Sequence, residues 1–390
     1  MNPNIKYIER DLEEQIDQNL SSGKVILLYG PRRVGKTTLV KHLFEKLKLP
    51  YLYLSCEQIS VKSQLTADPL KLKEVIGNYQ SIVFDEAQYL ENPGLVLKVL
   101  IDTFPDLQII ALGSSSFELA GKIQEPLIGR NLPYYLFPLS YNEIRKLYEP
   151  INLAFYLEQT LRFGSYPETI QYVSNDEKAN YLQILISDFL YKDILAFDRV
   201  KESKKLRELL VTLSLQLGQE VSYNELANTL SIDRKTVEYY IDLLEKTFVL
   251  FRLYAFSRNL RSEINRKVKI YFYDVGVRNA LINNFNQLDL RNDVGAIFEN
   301  FCLAEIFKNN QNRQYKSNLY FWRTYTQKEI DLIEEREGRL FGYEIKYSGK
   351  GKLPKTTVSE FKKAYPDSSI TYINKENLGQ IFRIMHLLSD

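Results

Sequence analysis

The stretch LYGPRRVGKTTLV, residues 28–40, decides how this chain is read. It sets a glycine, four residues and then Gly-Lys-Thr between an apolar run, KVILLY (24–29), and TTLVKHLFEKL (37–47), whose apolar positions recur at helical spacing. A glycine loop between strand and helix is the setting in which backbone N–H groups cradle phosphates. Gly30 and Gly35 let the backbone curl, and Pro31, Arg32, Arg33, Val34 and Thr38 complete the segment. Lys36 is expected to reach β and γ oxygens, and Thr37 to ligate Mg²⁺. The bland alternative, a glycine turn beside a surface lysine, leaves the spacing and both flanks without a reason.

Further along, SIVFDEAQYL (81–90) runs an apolar strand into two adjacent carboxylates. After a phosphate loop, this pattern predicts Asp85 in the magnesium shell and Glu86 polarising an attacking water. A third apolar strand, LQIIALG (107–113), ends in Ser114, Ser115 and Ser116, where open α/β sheets place ligand-contacting groups. Ser114 is therefore a candidate sensor of the γ-phosphate, with a helix N-cap as the competing role. Arg130, in LIGRNLPYY, is a candidate arginine finger acting in its own subunit or on a neighbour, against the competing reading of a surface arginine. Strands near 25–29, 51–55, 81–85, 108–113 and 134–138, separated by helical patterns, predict a parallel sheet with crossover helices.

The whole chain has 390 residues, 51 basic and 49 acidic, so no global charge draws it to nucleic acid or to an anionic membrane. Apolar residues make up 45% and charged residues 26%, which matches a folded globular protein and excludes a disordered or fibrous one. Cys56 and Cys302 stand far apart and without a metal-ligand pattern, so neither a disulfide framework nor a zinc site is expected. The charged start MNPNIKYIERDLEE and the lack of an apolar run of about 18 residues predict a cytoplasmic protein without membrane contact.

Residues from about 140 to 200, including NLAFYLEQTLRFG and ANYLQILISDFLYKDILAF, carry helical periodicity and predict a lid or connector. The FGSYPE segment (163–168) reads as a turn and simple punctuation. KKLRELLVTLSLQLG, EVSYNELANTLSI and DRKTVEYYIDLLEKT then predict three helices, and FVLFRLYAFSRN a hairpin strand, together a winged helix. Ser222 and Asp233 are candidate N-caps. Arg234, Lys235, Thr236 and Tyr239 on the third helix are candidate contacts to double-stranded DNA. Arg252, Arg258, Arg261, Arg266 and Lys267 on or after the wing would neutralise phosphates, whereas Glu238, Asp242 and Glu245 oppose that reading. Winged helices also bind proteins, so an unknown protein partner is the alternative.

KVKIYFYDVGVRNAL (267–281) is a strand leading to Asp274, and FENFCLAEIFKN (298–309) a helix carrying Glu299. LYFWRTYTQKEIDLIEEREGRLFGYEIKYS (319–348) reads as alternating strands with a turn at Glu337-Gly338. Asp331 lies on one strand, and Glu344 and Lys346, two apart, share a face of the next. Glu299, Asp331, Glu344 and Lys346 form a candidate catalytic set in which Asp331 and Glu344 hold Mg²⁺ and Lys346 positions water. The pattern is that of PD-(D/E)xK nucleases, with Ile330 in place of the proline. Taken alone it is also what any half-exposed strand shows.

Across nearly its whole length the chain resembles a prokaryotic family of AAA-like ATPases in the AAA/STAND neighbourhood. The segments that carry the resemblance include LYGPRRVGKTTLV, IVFDEAQYL, ALGSSS, FPLSYNEI, FLYKDI, KTVEYYIDLLEKTFVLFRL, FENFCLAEI, FWRTYTQKEIDLI and GYEIKYS. The resemblance implies a P-loop ATPase domain (1–140), a helical connector (141–200), a winged helix (201–265) and a restriction-endonuclease-like domain (266–390). It implies ATP and Mg²⁺ as cofactors and maps the nuclease-like site onto Glu299, Asp331, Glu344 and Lys346. The expected fold class is α/β. The expected function is ATP hydrolysis used as a switch, with an ATP-gated Mg²⁺-dependent DNA nuclease and a DNA-binding regulator as alternatives. AAA-like sites often complete themselves across subunits, so an oligomer is open.

Overall fold

The computed structural model describes residues 7–114, 127–189, 203–257, 267–349 and 354–387. The chain forms two compact units, one from residues 2–139 with 246–248, the other from 140–245 with 249–390.

The first unit is a five-stranded parallel sheet. Its strands are β1 (Val25–Tyr29), β2 (Leu52–Ser55), β3 (Ser81–Asp85), β4 (Gln108–Gly113) and β5 (Asn131–Tyr135), in the order β2-β3-β4-β1-β5. VILLY in β1 and SIVFD in β3 are buried throughout, as expected of central strands covered on both faces. Helix Lys36–Leu47 turns Leu39, Val40, Leu43 and Phe44 inward, the periodic face visible in the sequence. The register aligns Tyr29 with Gly113 and with Tyr135, and Ser55 with Asp85, so the carboxyl ends of the strands form one rim. The fifth strand begins three residues before its expected place. It is an edge strand, where Pro133 costs no ladder hydrogen bond, and that proline hid it from a periodicity reading.

The second unit opens with helix Tyr141–Arg145, held by a capping box of Ser140 and Glu143. Helices Leu153–Phe163, Pro167–Gln171 and Asn175–Phe189 follow, then Ser203–Leu215, Tyr223–Leu230 and Arg234–Lys246. A mixed seven-stranded sheet runs through the rest. It comprises β6 (Glu220–Val221), β7 (Leu250–Ala255), β8 (Val268–Phe272), β9 (Asn318–Arg323), β10 (Glu329–Arg336), β11 (Arg339–Ile345) and β12 (Ser369–Ile373), in the order β12-β11-β10-β9-β7-β8-β6. β7, which the sequence reads as part of a wing, pairs with β8 and, in parallel, with β9, and so belongs to the same sheet as the C-terminal strands. β10 and β11 form a two-residue hairpin in which Glu337 (φ 49°) and Gly338 (φ 75°) are both left-handed, as the expected turn requires. Trp322, Ile330, Ile333, Leu340 and Phe361 form a buried core on this sheet.

Candidate functional site

The phosphate loop leaves β1 at Gly30. A Cβ placed there would meet the Leu136 carbonyl oxygen at 2.0 Å, so only glycine fits. Gly35 holds φ 95° and opens the helix that carries Lys36, Thr37 and Thr38. The Lys36 ammonium donates to the carbonyls of Gly30 and Pro31 at 2.8 and 2.9 Å, keeping the loop curled around it. Arg32 and Arg33 lie on the loop, with Arg32 Nη2 donating to the Tyr89 hydroxyl at 3.3 Å, and Val34 is fully buried. Sequence reasoning missed Arg10. Buried beneath the loop, its guanidinium donates to Val34 O at 2.8 Å and Phe137 O at 2.7 Å, tying the loop to the chain beyond β5.

β3 brings the two carboxylates to the same rim. Thr37 Oγ1 donates to Asp85 Oδ2 at 2.9 Å, which places a hydroxyl and a carboxylate oxygen together next to the loop. Tyr53, on β2, also donates to Asp85 Oδ2, another contact the sequence does not announce. Burial and then Asp85 raise the Tyr53 phenol above its ordinary range, so it stays protonated and a donor. Glu86 turns out of the strand at φ 52°, and Gln88 bridges it to Ser114 at the end of β4. Thus Lys36, Thr37, Asp85, Glu86 and Ser114 converge. Ser115 and Ser116 lie outside the described residues.

Arg130 does not join them. Parallel register sets Asn131 beside Val25 and Tyr135 beside Tyr29, so Arg130 stands at the far end of the strand, about 20 Å of β-strand rise from Gly30, where the loop begins. Its guanidinium pairs instead with Asp102 at 2.9 Å, which puts it away from the loop of its own subunit; of the expected roles, action on a neighbour and a plain surface arginine fit that position.

In the second unit, Glu299 on helix Val294–Asn312, Asp331 on β10, Glu344 on β11 and Lys346 just after it come together as expected. Lys346 Nζ lies 3.3 Å from Asp331 Oδ2 and 2.9 Å from Glu344 Oε1, and the backbone N–H of Ile345 donates to Asp331 at 2.7 Å. Glu299 accepts from the Tyr271 hydroxyl at 2.6 Å and lies 3.9 Å from Lys269. Burial, and then the Asp331 charge, push both Glu299 and Glu344 well above the usual carboxylate range. Glu344 Oε2 is buried without a hydrogen-bond partner. Among the described residues, however, no three carboxylate, imidazole or thiolate groups converge to hold a metal ion. Lys346 thus contacts both carboxylates expected to hold Mg²⁺, Asp331 and Glu344, as a member of the same set.

Of the candidate DNA contacts, Arg234 is paired with Glu238 at 2.9 Å, while Lys235 is exposed and Thr236 and Tyr239 half-buried on the same helix. Arg252 is held by Asp242 at 2.6 Å and by Glu245, and Lys267 by Glu220 at 2.7 Å. The acidic residues of the third helix therefore neutralise the cations nearest to them. Arg258, Arg261 and Arg266 lie outside the described residues. Ser222 caps its helix, accepting from Glu225 N at 3.3 Å.

Residues 22–145 match the AAA domain. They coincide with the parallel sheet and its glycine loop, and the chain thus carries a P-loop nucleotide-binding domain of the AAA type. Residues 155–288 match a domain of unknown function (DUF8612) and residues 294–386 another (DUF4143). An uncharacterized protein of Mycobacterium tuberculosis is 29% identical over 340 residues, covering 86% of this chain and 73% of its own. One from Methanocaldococcus jannaschii is 26% identical over 399 residues, covering 95% and 84%. Among solved structures, the Thermotoga maritima RuvB Holliday junction branch migration motor is 17% identical, covers 63% of this chain and 90% of its own, and superposes with a TM-score of 0.31. No described helix is long and apolar enough to cross a membrane.

Proposed function

We propose that this chain is a Mg²⁺-dependent ATPase whose AAA domain serves as a nucleotide switch for the rest of the polypeptide. The observation that carries the reading is the 2.9 Å contact between Thr37 Oγ1 and Asp85 Oδ2 beside the loop, with Glu86 next in sequence. A hydroxyl and a carboxylate so paired fit a hard cation that also takes phosphate oxygens. Bound there, Mg²⁺ supplies neutralisation of the charge on the transferred phosphoryl group.

The residues of the chain do the rest. Backbone N–H groups from Gly30 to Thr37 cradle the phosphates. Lys36 exchanges the carbonyls of Gly30 and Pro31 for β and γ oxygens. Glu86 accepts a proton from the attacking water, and Ser114 contacts the γ-phosphate. Residues 201–265 act as a winged-helix module, for which the helices Ser203–Leu215, Tyr223–Leu230 and Arg234–Lys246 followed by strand β7 are the support, and the 266–390 segment as a nuclease-like domain. The contacts of Lys346 with Asp331 and Glu344 fit an ATP-gated Mg²⁺-dependent DNA nuclease as the second reading, beside a DNA-binding or protein-binding regulator.

The test is phosphate release as a function of Mg²⁺ for wild type and Asp85→Asn. The variant is expected to need at least about ten-fold more Mg²⁺, the loss of one charged ligand. An unchanged Mg²⁺ requirement would remove Asp85 from the site.

A further inference from the structure

The segment after β3 carries a second polar side chain, beyond Glu86, that the phosphate chemistry above leaves without a task. Gln88 is 5% exposed, and its amide nitrogen donates to both Glu86 Oε2 and Ser114 Oγ, the latter at 3.0 Å. The Glu86 carboxylate accepts only, so the nitrogen of the amide, and not its oxygen, must face it. An amide nitrogen has two hydrogens and both are spent. The Ser114 oxygen is therefore an acceptor toward Gln88, and its single hydroxyl proton is directed elsewhere. Gln88 Oε1 is buried with no hydrogen-bond partner, a cost that marks the side chain as kept for its N–H groups and not for filling space. Glu86 holds φ 52°, a costly conformation for a residue with a Cβ, and this turn brings Gln88 back beside it. The register pairs Tyr29 with Gly113, so Ser114 and Gly30, the first residue of the phosphate loop, each follow directly on a paired strand end.

We propose that Gln88 is a positioning residue that relays the presence of a γ-phosphate from Ser114 to Glu86. The inference rests on the ATPase reading given above. In the relay a γ-phosphate oxygen accepts from Ser114 O–H, the Ser114 oxygen accepts from one Gln88 N–H, and the other Gln88 N–H holds the Glu86 carboxylate. A hydroxyl that donates becomes a better acceptor, so a triphosphate tightens the hold on Glu86 and a diphosphate leaves it slack. The nucleotide state is in this way written into the placement of the general base.

The experiment compares wild type with Gln88→Met, which keeps the bulk, Gln88→Glu, which keeps the shape but replaces the donor by acceptors, and Ser114→Ala. Affinities for the non-hydrolysable analogue AMP-PNP and for ADP are measured beside kcat and KM, with ADP binding as the check on folding. Each Gln88 variant is expected to bind ADP like wild type, to lose preference for AMP-PNP over ADP by about three- to ten-fold, and to lower kcat about ten- to hundred-fold with little change in KM. Gln88→Met combined with Ser114→Ala should be no worse than the poorer single variant, because both break one chain. An unchanged AMP-PNP preference, or a double variant whose losses multiply, overturns the relay. If wild type itself releases no phosphate, the ATPase reading fails, while the AMP-PNP to ADP ratio still decides whether Gln88 couples to the γ-phosphate.

Discussion

The Thr37 hydroxyl donates to Asp85 Oδ2 at 2.9 Å, joining the first turn of the helix behind the glycine loop to the end of β3. The contact follows from sheet order. β4 lies between β1 and β3, and the parallel rim sets everything that leaves these strands on one side. Nucleotide chemistry can be built there because groups from three distant segments arrive already oriented.

Gly30→Ala should destabilise the AAA domain by about 3 kcal/mol, since its Cβ would meet the Leu136 carbonyl oxygen at 2.0 Å and backbone cannot yield as a side chain can. Thermal unfolding checks this. A variant as stable as wild type would show that the loop does not pass so close to residue 136.

Arg10→Met keeps most of the apolar stem but removes the donors to Val34 O and Phe137 O. A cost of about 2 to 4 kcal/mol is expected from two buried carbonyls losing a charged partner. Loosening of the loop should also weaken ATP binding roughly ten-fold, measured by titration calorimetry. Stability lost with affinity intact would make Arg10 a support for the domain alone.

How much of this was legible in the sequence depends on the range of the physics. The loop from Gly30 to Thr37 could be read because phosphate binding dictates local spacing, and Asp85-Glu86 because a strand end is a local event. The neighbourhood of Ser114 followed from the same rule. Arg10, Tyr53 and Gln88 carry no such mark. Their partners are set by the fold, Arg10 reaching Phe137 across 127 positions. For Arg130 the sequence left its own subunit, a neighbour and a plain surface position open, because a motif gives no register, and the pairing of Asn131 with Val25 puts it at the end of the strand away from the loop. In the second unit the gathering of Glu299, Asp331, Glu344 and Lys346 was an expectation of the family resemblance, because strand alternation alone equally describes a half-exposed strand and Glu299 lies on a helix; the ion pairs of Lys346 are a matter of distances. FGSYPE was more than punctuation. A Cβ on Gly164 (φ 69°) would meet Asp274 Oδ1 at 2.0 Å, and Ser165 N donates to that buried carboxylate at 2.7 Å.

Glu299→Gln and Glu344→Gln should stabilise the protein, and increasingly so as pH rises. Both carboxyls have folded-state values raised above the unfolded ones, first by burial and then by Asp331. Below the unfolded value they cost nothing. As pH rises through the window between the unfolded and folded values, ionising them in place removes stability from wild type but not from the amides. Melting temperatures of wild type and variants at about pH 5 and about pH 8 test this through the change in their difference. A difference independent of pH would mean that the carboxyls are not raised.

Arg130→Ala should leave turnover within about two-fold of wild type for the isolated chain, because the side chain gives up only an exposed ion pair with Asp102. A loss of about ten-fold or more that deepens as protein concentration rises would instead show a second copy presenting Arg130 to its neighbour.

The most direct test of the central claim is phosphate release from ATP with Mg²⁺ by wild type and Glu86→Gln, with ATP binding measured on the same samples. The account predicts steady release by wild type and a loss of about a hundred-fold or more in the variant, with ATP bound equally well by both. Full turnover by Glu86→Gln would contradict it.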